Sequence, residues 1–362
     1  MEASTITPDT IEHVVKSLMQ RVPAVELAMA PRGAAGLDGL LTTPDLLQEL
    51  RCVGGGAGAD PACAGNPTDM ADEVWLKLFV HRTPLSDPCR RVLTLFNKLG
   101  FRDHVQTRNL SAIRDAVAAL KEGEWEAHVR QLAQLQHAVL AVDAAAAPAA
   151  VQLPAAAPYA LVVKFEHTAA RLLEHARHHG RPPHHVRLHV APGTAADHMR
   201  EIMDTVRALQ CPLWLVVETV AALPAPADLH ELPHWVSCPH QALPALCRTY
   251  PYAIPINVSA KSSDIYAFTR KGLELRGSNF VGYASVQLGT LEHVASGWCH
   301  ARAALARVLT ERYRCLLYAG WNLSSSEIVE DAAQLSGCCV MPGTAAPAAP
   351  PQTPPSPIPE DA

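Results

Sequence analysis

The sequence predicts an α/β protein, and two observations carry that prediction. In the second half of the chain, runs rich in Val, Leu and Ile alternate with amphipathic helical patterns, whereas the first half is mainly helical in pattern. Strands that alternate with helices are typical of parallel pairing with right-handed crossovers. Five such units make either a doubly wound sheet or most of a barrel, and 362 residues are enough for one large barrel or two average domains.

The first half begins with one possible strand, Ala24–Met29, and continues with helical patterns. The clearest helix has Ser86 as its N-cap, an apolar face at i, i+3, i+4 and i+7 from Val92 to Leu99, and Gly100 as its stop. Three more helices are predicted around Trp75–Phe79, over 111–120 and over 124–140.

The second half supplies the repeating units. Its predicted strands are Tyr159–Phe165, Val186–Ala191, Leu213–Val220, Ala253–Val258 and Asn279–Ala284. The predicted helices between and after them are His167–His179, Ala195–Leu209, Asp264–Arg276 with Ser263 as N-cap and Gly277 as stop, a long helix from Thr290, and a last helix that opens with the Ser324–Glu327 capping box.

Composition excludes several classes of protein. The net charge is -5 and no basic stripe stands out, so we expect no nucleic-acid partner. Apolar runs stay below the roughly 18 residues of a membrane span, and the first 20 residues do not resemble a signal peptide. The ten cysteines show no C-x-x-C pair, which favours reduced thiols and a cytoplasmic location.

Low-complexity segments suggest where the domain ends. We expect one domain over 1–338, with a linker at 144–158, a loop at 53–66 and a disordered Ala/Pro-rich tail over 339–362.

Three stretches, in a fixed order along the chain, carry a family resemblance. They are Ala71–Phe101, then Ser263–Phe280 followed by Trp298 and His300-x-Arg302, then Ala319–Leu323 followed by Ile328 and Asp331. Together they resemble the uronate isomerase-like branch of the amidohydrolase superfamily. The resemblance implies a distorted (β/α)₈ TIM-type barrel with a helical insertion at about 66–145. It also implies aldose–ketose interconversion of hexuronates such as glucuronate, with a divalent metal such as zinc as cofactor.

The chain departs from that family where metal ligands are expected. The resemblance places a His-x-His pair at the end of the first strand, and here those positions read Ala28 and Ala30. It places an aspartate in the late strand, and Phe280–Val286 contains no carboxylate. It places an Arg-Glu run at Ser237–Gln241, which has neither residue. We therefore predict no metal site and no cofactor.

Candidate functional residues are those at predicted strand ends, where barrel enzymes keep their active sites. His189, Glu218 and Asn257 are the first candidates for catalysis, and the weaker ones are Glu166, His167, Ser259 and Ser285. The simpler alternatives are that Glu218 meets solvent or caps the next segment, and that His189 is a structural histidine.

A histidine cluster spans 175–189. His175 and His179 have the i, i+4 spacing that can bind zinc on a helix, but a solvated helix end explains the cluster more simply.

Three functional hypotheses follow. The first is a uronate isomerase-like protein that binds a small sugar acid without turnover or serves as a scaffold. The second is an active hexuronate isomerase or a hydrolase with a rearranged site. The third is a structural partner in a larger assembly. No nucleic acid or membrane is expected as a partner, and a homo-oligomer is compatible with all three.

Overall fold

The computed structural model contains one sheet of seven parallel strands in sequence order. It describes residues 6–29, 36–54, 66–120, 124–144, 159–163, 169–190, 196–217, 220–223, 234–284 and 291–337. The strands are β1 Ala24–Met29, β2 Leu135–Asp143, β3 Tyr159–Val163, β4 His185–Val190, β5 Leu213–Val217, β6 His234–Ser237 and β7 Ile254–Ile256. Each pairs in parallel with the next. This order excludes the doubly wound sheet, whose strand order reverses at a switch point.

Most of the helices in the first half lie between β1 and β2. They are α2 Gly36–Leu41, α3 Pro44–Gly54, α4 Pro67–Trp75 with a π-helical continuation Leu76–Val80, α5 Asp87–Lys98, α6 Arg102–Gln106, α7 Leu110–Ala118 and α8 Glu124–Ala133. The helices α4 to α8 fall within the predicted insertion at about 66–145, whereas α2 and α3 precede it and β2 occupies its last part; we call 36–133 the insertion.

The remaining helices precede β1 or follow the later strands. They are α1 Ile11–Met19, α9 Ala169–His179, α10 Ala196–Ala208, a 3₁₀ turn Val220–Ala222, α11 Leu243–Thr249, α12 Ser262–Arg276, α13 Leu291–Tyr318 and α14 Ser325–Leu335. Within the described ranges, none of the helices is long and apolar enough to cross a membrane.

An eighth strand position is occupied by the segment around Val281. Val281 forms a parallel bridge with Ile256 of β7 and donates its N–H to the carbonyl of Pro255 at 2.8 Å. On the other side, the Gly282 N–H donates to the carbonyl of Leu335 at 2.8 Å. This edge therefore bonds to the end of α14, and the fold is a distorted (β/α)₈ barrel.

Several predicted helix ends are confirmed. The Ser86 hydroxyl accepts the Cys89 N–H at 3.3 Å at the start of α5, and Gly100 has a φ of 90° beyond its end. The capping box of Ser324 and Glu327 is present at the start of α14. The predicted N-cap Ser263 is wrong, because α12 begins at Ser262 and its N-cap is Lys261.

The predicted helix over 124–140 is also wrong beyond Ala133. Gln134 adopts a φ of 54°, which ends α8, and β2 starts at the next residue and lies between β1 and β3. The four-residue strand β6 was not predicted. Apart from their described end residues, the predicted loop 53–66 and linker 144–158 lie outside the described part of the chain, as does all of the tail 339–362.

Two hydrophobic cores meet at α13. One core fills the barrel and its helices, and includes Val294, Trp298 and Leu305. The other fills the insertion, and includes Ala295 of the same helix. One helix therefore contributes side chains to both cores, which fixes the insertion on the barrel.

The two faces of the sheet differ in chemistry. Arg187, Trp214 and Trp235 are register partners on β4, β5 and β6, so their side chains share one face. The Arg187 guanidinium carbon lies 4.9 Å from the centroid of the Trp214 ring, and the Trp214 and Trp235 centroids are 6.4 Å apart. The alternating residues, such as Leu188 and Leu215, are aliphatic and buried. Because the aliphatic face suits a layer of helices, we assign the Arg/Trp face to the barrel interior.

Gly272 in α12 gives a stability prediction in which packing opposes helix propensity. Alanine at an exposed helix position is worth about 1 kcal/mol more than glycine. A Cβ at Gly272, however, would lie 2.6 Å from the ring of Phe280, which is fully buried. We expect Gly272→Ala to lower the free energy of unfolding by about 1 to 3 kcal/mol in urea titrations. Adding Phe280→Leu should recover part of that loss, whereas a stabilised Gly272→Ala protein would contradict this packing.

Candidate functional site at the mouth of the barrel

The carboxyl ends of the strands define the candidate site, because they meet at one rim of a parallel barrel. The described residues at that rim include His189 near the end of β4, Ser237 at the end of β6, Asn257 directly after β7 and Ala284 after the eighth strand position.

The carboxyl-end rim is the mouth of the barrel, and His189 lies there on the interior face. It is in register with Val216 of β5 and two residues beyond Arg187, so it shares the face of the Arg/Trp layer. Arg187 is buried, whereas His189 is exposed. A histidine in this place can reach a molecule that enters the mouth, although its catalytic role stays a prediction.

The side chains of the Arg/Trp face, Arg187, Trp214 and Trp235, form a layer below the mouth, which we call its floor. Burial lowers the pKa of Arg187 to about 10, so its guanidinium remains charged at neutral pH. Burial, together with the charges of Arg187 and His184, lowers the pKa of His185, which therefore stays neutral. The indole N–H of Trp214 donates to the Ser237 hydroxyl at 2.7 Å. The described part of this floor is thus packed, and it includes the charged guanidinium of Arg187.

Asn257 braces the rim between β7 and the eighth strand position. Its side-chain amide donates to the carbonyls of Gly282 at 3.1 Å and Ser259 at 3.2 Å, and its oxygen accepts the Ser259 N–H at 3.1 Å. The Ser259 hydroxyl donates to the Asp264 carboxylate at 2.7 Å. These bonds give Asn257 a positioning role for the loop after β7. Its predicted catalytic role stays a prediction.

The other predicted candidates lie mostly outside the described residues. Glu218 directly follows β5, but the structure does not describe it, nor does it describe Glu166, His167 or Ser285. Their predicted roles remain predictions.

Two of the positions that the resemblance assigns to metal ligands carry alanine. Ala28 lies in β1, and Ala30 follows it just outside the described range. Neither alanine has a donor atom, and Ala284 likewise offers none at the eighth position. Among the residues that the structure describes, no group of three or more His, Cys, Asp or Glu side chains could hold a metal ion. That includes the histidine cluster, in which the rings of His175 and His179 are 6.0 Å apart.

Sequence reasoning missed a polar junction that holds the insertion against the barrel. Asp87 in α5 accepts the Ser262 N–H at 3.3 Å and lies 3.0 Å from Nε2 of His300 in α13. The Ser262 hydroxyl contacts the same Nε2 atom. Because both oxygens meet one ring nitrogen, this is not a nucleophile–base–acid relay, which uses both nitrogens. The partners are too distant in sequence for any local pattern to show them.

The junction also explains the acidity of Asp87. Burial raises the pKa of this carboxyl, but the hydrogen bond and charge of His300, the Ser262 N–H and the charge of Arg91 outweigh burial and lower the pKa to about 2. The Asp87 carboxylate thereby caps the N-terminus of α12, whose exposed N–H groups favour an anion.

Fold and rim together define a (β/α)₈-barrel protein with its candidate site at the carboxyl ends of the strands. A solved structure with this fold is a uronate isomerase from Bacillus halodurans, which superposes with a TM-score of 0.76 at 19% sequence identity. The match covers 92% of this chain and 95% of that one. No protein-family model matches the chain, and no curated protein matches it. The shared architecture confirms the predicted TIM-type barrel.

The Asp87 junction gives a prediction with a defined pH dependence. Because the folded pKa lies below that of an unfolded aspartate, near 4, the carboxylate stabilises the fold above that value, and the stabilisation is lost as pH falls toward 2. We expect Asp87→Asn to lower the free energy of unfolding by about 1 to 3 kcal/mol at pH 7.

The measurement is urea unfolding of both proteins at pH 7 and at steps from 4.5 to 3. Asp87→Asn should lose less stability than the parent over the acidic steps. Asp103→Asn in α6 is the matched control, because this exposed aspartate forms no ion pair with the described residues, and it should behave like the parent. If Asp87→Asn and the parent lost equal free energy of unfolding between pH 4.5 and 3, the Asp87 carboxylate would not stabilise the junction.

Proposed function

We propose that this protein is a uronate isomerase-like barrel that binds a small sugar acid at its mouth without metal-dependent aldose–ketose isomerisation. The proposal rests on the sequence, in which positions that the resemblance assigns to metal ligands carry side chains without donor atoms. Ala28 and Ala30 stand where the resemblance implies a His-x-His pair, and Phe280–Val286 holds no carboxylate. No rotamer or pH change can give alanine a donor atom.

Isomerisation requires several functional groups at one site. It moves a proton between adjacent carbons, which needs a base, an acid and a group that holds the two oxygens. Among the described residues near the strand ends, His189 is an exposed titratable residue on the interior face, and Asp143 at the end of β2 shares that face by register with Val162 and Arg187. Asn257 uses its amide to brace the backbone. We favour binding without turnover because of the alanines at the implied ligand positions; a rearranged active site could draw on residues such as Glu218.

Positive charge near the mouth supports an acid as the ligand. Lys261, in the loop after β7, is exposed and brings positive charge to this rim. Charge-assisted hydrogen bonds to a carboxylate are the stronger class of hydrogen bond, and the imidazole of His189 can donate to or accept from a sugar hydroxyl. A hydroxylated carboxylate of sugar size suits this combination.

A binding and turnover experiment tests the proposal. We expect calorimetric titration with D-glucuronate or D-galacturonate to show saturable binding, and titration with neutral D-glucose to show none. Long incubations with the acids should yield no ketose, with or without added zinc. Ketose formation that a chelator abolishes would establish an active isomerase instead. Absence of binding by either acid would also overturn the proposal, in favour of a structural role.

A substitution at the rim tests the location. His189→Ala should weaken binding of the sugar acid roughly tenfold, the usual effect of one lost hydrogen bond to a charged or polar ligand group. His104→Ala in α6 is the matched control, since His104 is partly exposed and belongs to the insertion. Calorimetry of the three proteins measures the difference, and equal affinities would place the ligand away from His189.

A further inference from the structure

Exposed hydrophobic side chains gather at the end of the barrel opposite the mouth. Tyr318 is 73% exposed, Tyr252 66% and Trp321 57%, and Leu275 and Leu316 are exposed as well. We call these five residues the apolar patch. An aromatic side chain has about 150 to 250 Å² of surface, so the three rings present roughly 300 Å² to solvent. Single exposed hydrophobic residues are ordinary, but an apolar patch of a few hundred Å² often marks an interaction site.

The end of α12 joins two members of the patch. The Arg276 guanidinium donates to the carbonyl of Pro251 at 2.6 Å and to that of Ala253 at 3.0 Å. These two carbonyls flank Tyr252, and Leu275 precedes Arg276 in the chain. Because this segment directly precedes β7, the patch lies at the amino ends of the strands.

The end of α13 lies at the same level. Arg312 of α13 pairs with Glu274 of α12 at 2.7 Å. Leu275 is the next residue after Glu274, and Leu316 lies one turn beyond Arg312. The last turns of the two helices therefore present their exposed leucines at one end of the molecule.

A helix C-cap holds Trp321 in place. Gly320 has a φ of 86°, the Trp321 N–H donates to the carbonyl of Leu316 at 3.0 Å, and the Gly320 N–H donates to that of Leu317 at 3.1 Å. These bonds form a Schellman motif, which brings the side chains at the positions of Leu316 and Trp321 together. The Trp321 side chain also hydrogen-bonds the Glu327 carboxylate. The exposed indole is thus held in one orientation, which lowers the entropic cost of binding to it.

The chain itself carries a segment whose chemistry suits the patch. Residues 347–359 are rich in proline, and the P-x-x-P spacing recurs at 347–350, 351–354 and 354–357. Segments of this kind favour the polyproline II conformation, and they are recognised by grooves lined with aromatic side chains. Because the conformation is largely preformed, little entropy is lost on docking.

The proline-rich segment is within reach of the patch. The last described residue, Gly337, is separated from Trp321 mainly by α14, whose 11 residues measure about 16 Å at a rise of about 1.5 Å per residue. Residues 338–346 can span roughly 30 Å when extended. A short tether of this kind gives a local concentration on the order of millimolar. That concentration favours the tail over a second copy of the chain or another protein at micromolar concentration.

We propose that the proline-rich segment 347–359 of this chain docks on the apolar patch in a polyproline II conformation. Its proline rings pack against Tyr318 and Trp321, and the docked segment keeps the patch from contacting other molecules. The proposal is independent of the sugar-acid site, which lies at the other end of the barrel.

The first test is fluorine NMR of the full chain labelled with fluorotryptophan, in which Trp321→Phe assigns the resonance of Trp321. The proline variant keeps the full length and carries alanine at Pro350, Pro351, Pro354 and Pro355. We expect the Trp321 resonance to shift in the proline variant, and a synthetic peptide of residues 347–359 to reverse that shift in a saturable manner. The resonances of the buried Trp214, Trp235 and Trp298 should stay unchanged.

A second full-length variant is the matched control for the tail. It carries the same number of substitutions but keeps every proline, with serine at Ala345, Ala346, Ala348 and Ala349. Its Trp321 resonance should coincide with that of the parent.

The second test locates the docking surface by fluorescence anisotropy of the labelled peptide. The parent should bind this peptide more weakly than the proline variant does, because its own tail competes. Adding Tyr318→Ser to the proline variant should weaken peptide binding roughly tenfold, because an exposed aromatic contact is lost. Adding Leu85→Ser instead is the matched control, since Leu85 is exposed but lies in the insertion, and it should leave binding unchanged.

Three results would overturn the proposal. One is a Trp321 resonance that is the same in the parent and the proline variant. Another is equal peptide binding with and without Tyr318→Ser. The third is a Trp321 resonance that moves when the parent is diluted tenfold, since it would assign the patch to a second copy of the chain.

Discussion

The structure depends most on the packing of one helix, α13, between two cores. Ala295 is buried in the core of the insertion, while Val294 and Trp298 are buried in that of the barrel. Polar contacts hold the same helix at several points along its length. The Trp125 indole donates to the buried Glu292 carboxylate at 2.7 Å, and Arg302 bonds the carbonyls before β1 and β2. Because these contacts set the insertion against the barrel, the junction at Asp87 follows from them.

The residues that hold the fold together differ from the residues of the candidate site. The residues that define the barrel are buried aliphatic and aromatic side chains, together with backbone pairing, and none of them needs a metal ligand. At the rim, His189 is exposed, whereas Ala284 is buried in the core of the barrel. Burial and backbone pairing can therefore persist while side chains at the strand ends change, which is consistent with a shared fold at 19% sequence identity.

Much of the fold could be predicted from sequence, because its signals are local. The cap at Ser86, the capping box at Ser324 and the aliphatic runs of β3 to β5 depend on neighbouring residues. The junction between α8 and β2 could not be predicted in this way. Gln134 is not a residue type that marks a left-handed turn, and Leu135–Asp143 suits either a helix or a strand.

The site was predictable only in part, for the same physical reason. Strand ends indicated His189 and Asn257, since a parallel barrel brings those ends to one rim. The bracing bonds of Asn257 and the partners of Asp87 depend on tertiary contacts across 25 to 213 residues, which no spacing reveals.

The central claim is that the barrel is kept while the metal chemistry is lost. Elemental analysis of the purified full-length protein, after incubation with zinc and removal of excess ion by dialysis, tests it most directly. The account predicts much less than one zinc per chain and no change in the melting temperature on adding a chelator. One equivalent of zinc per chain, retained through dialysis and removed by a chelator with loss of stability, would contradict it.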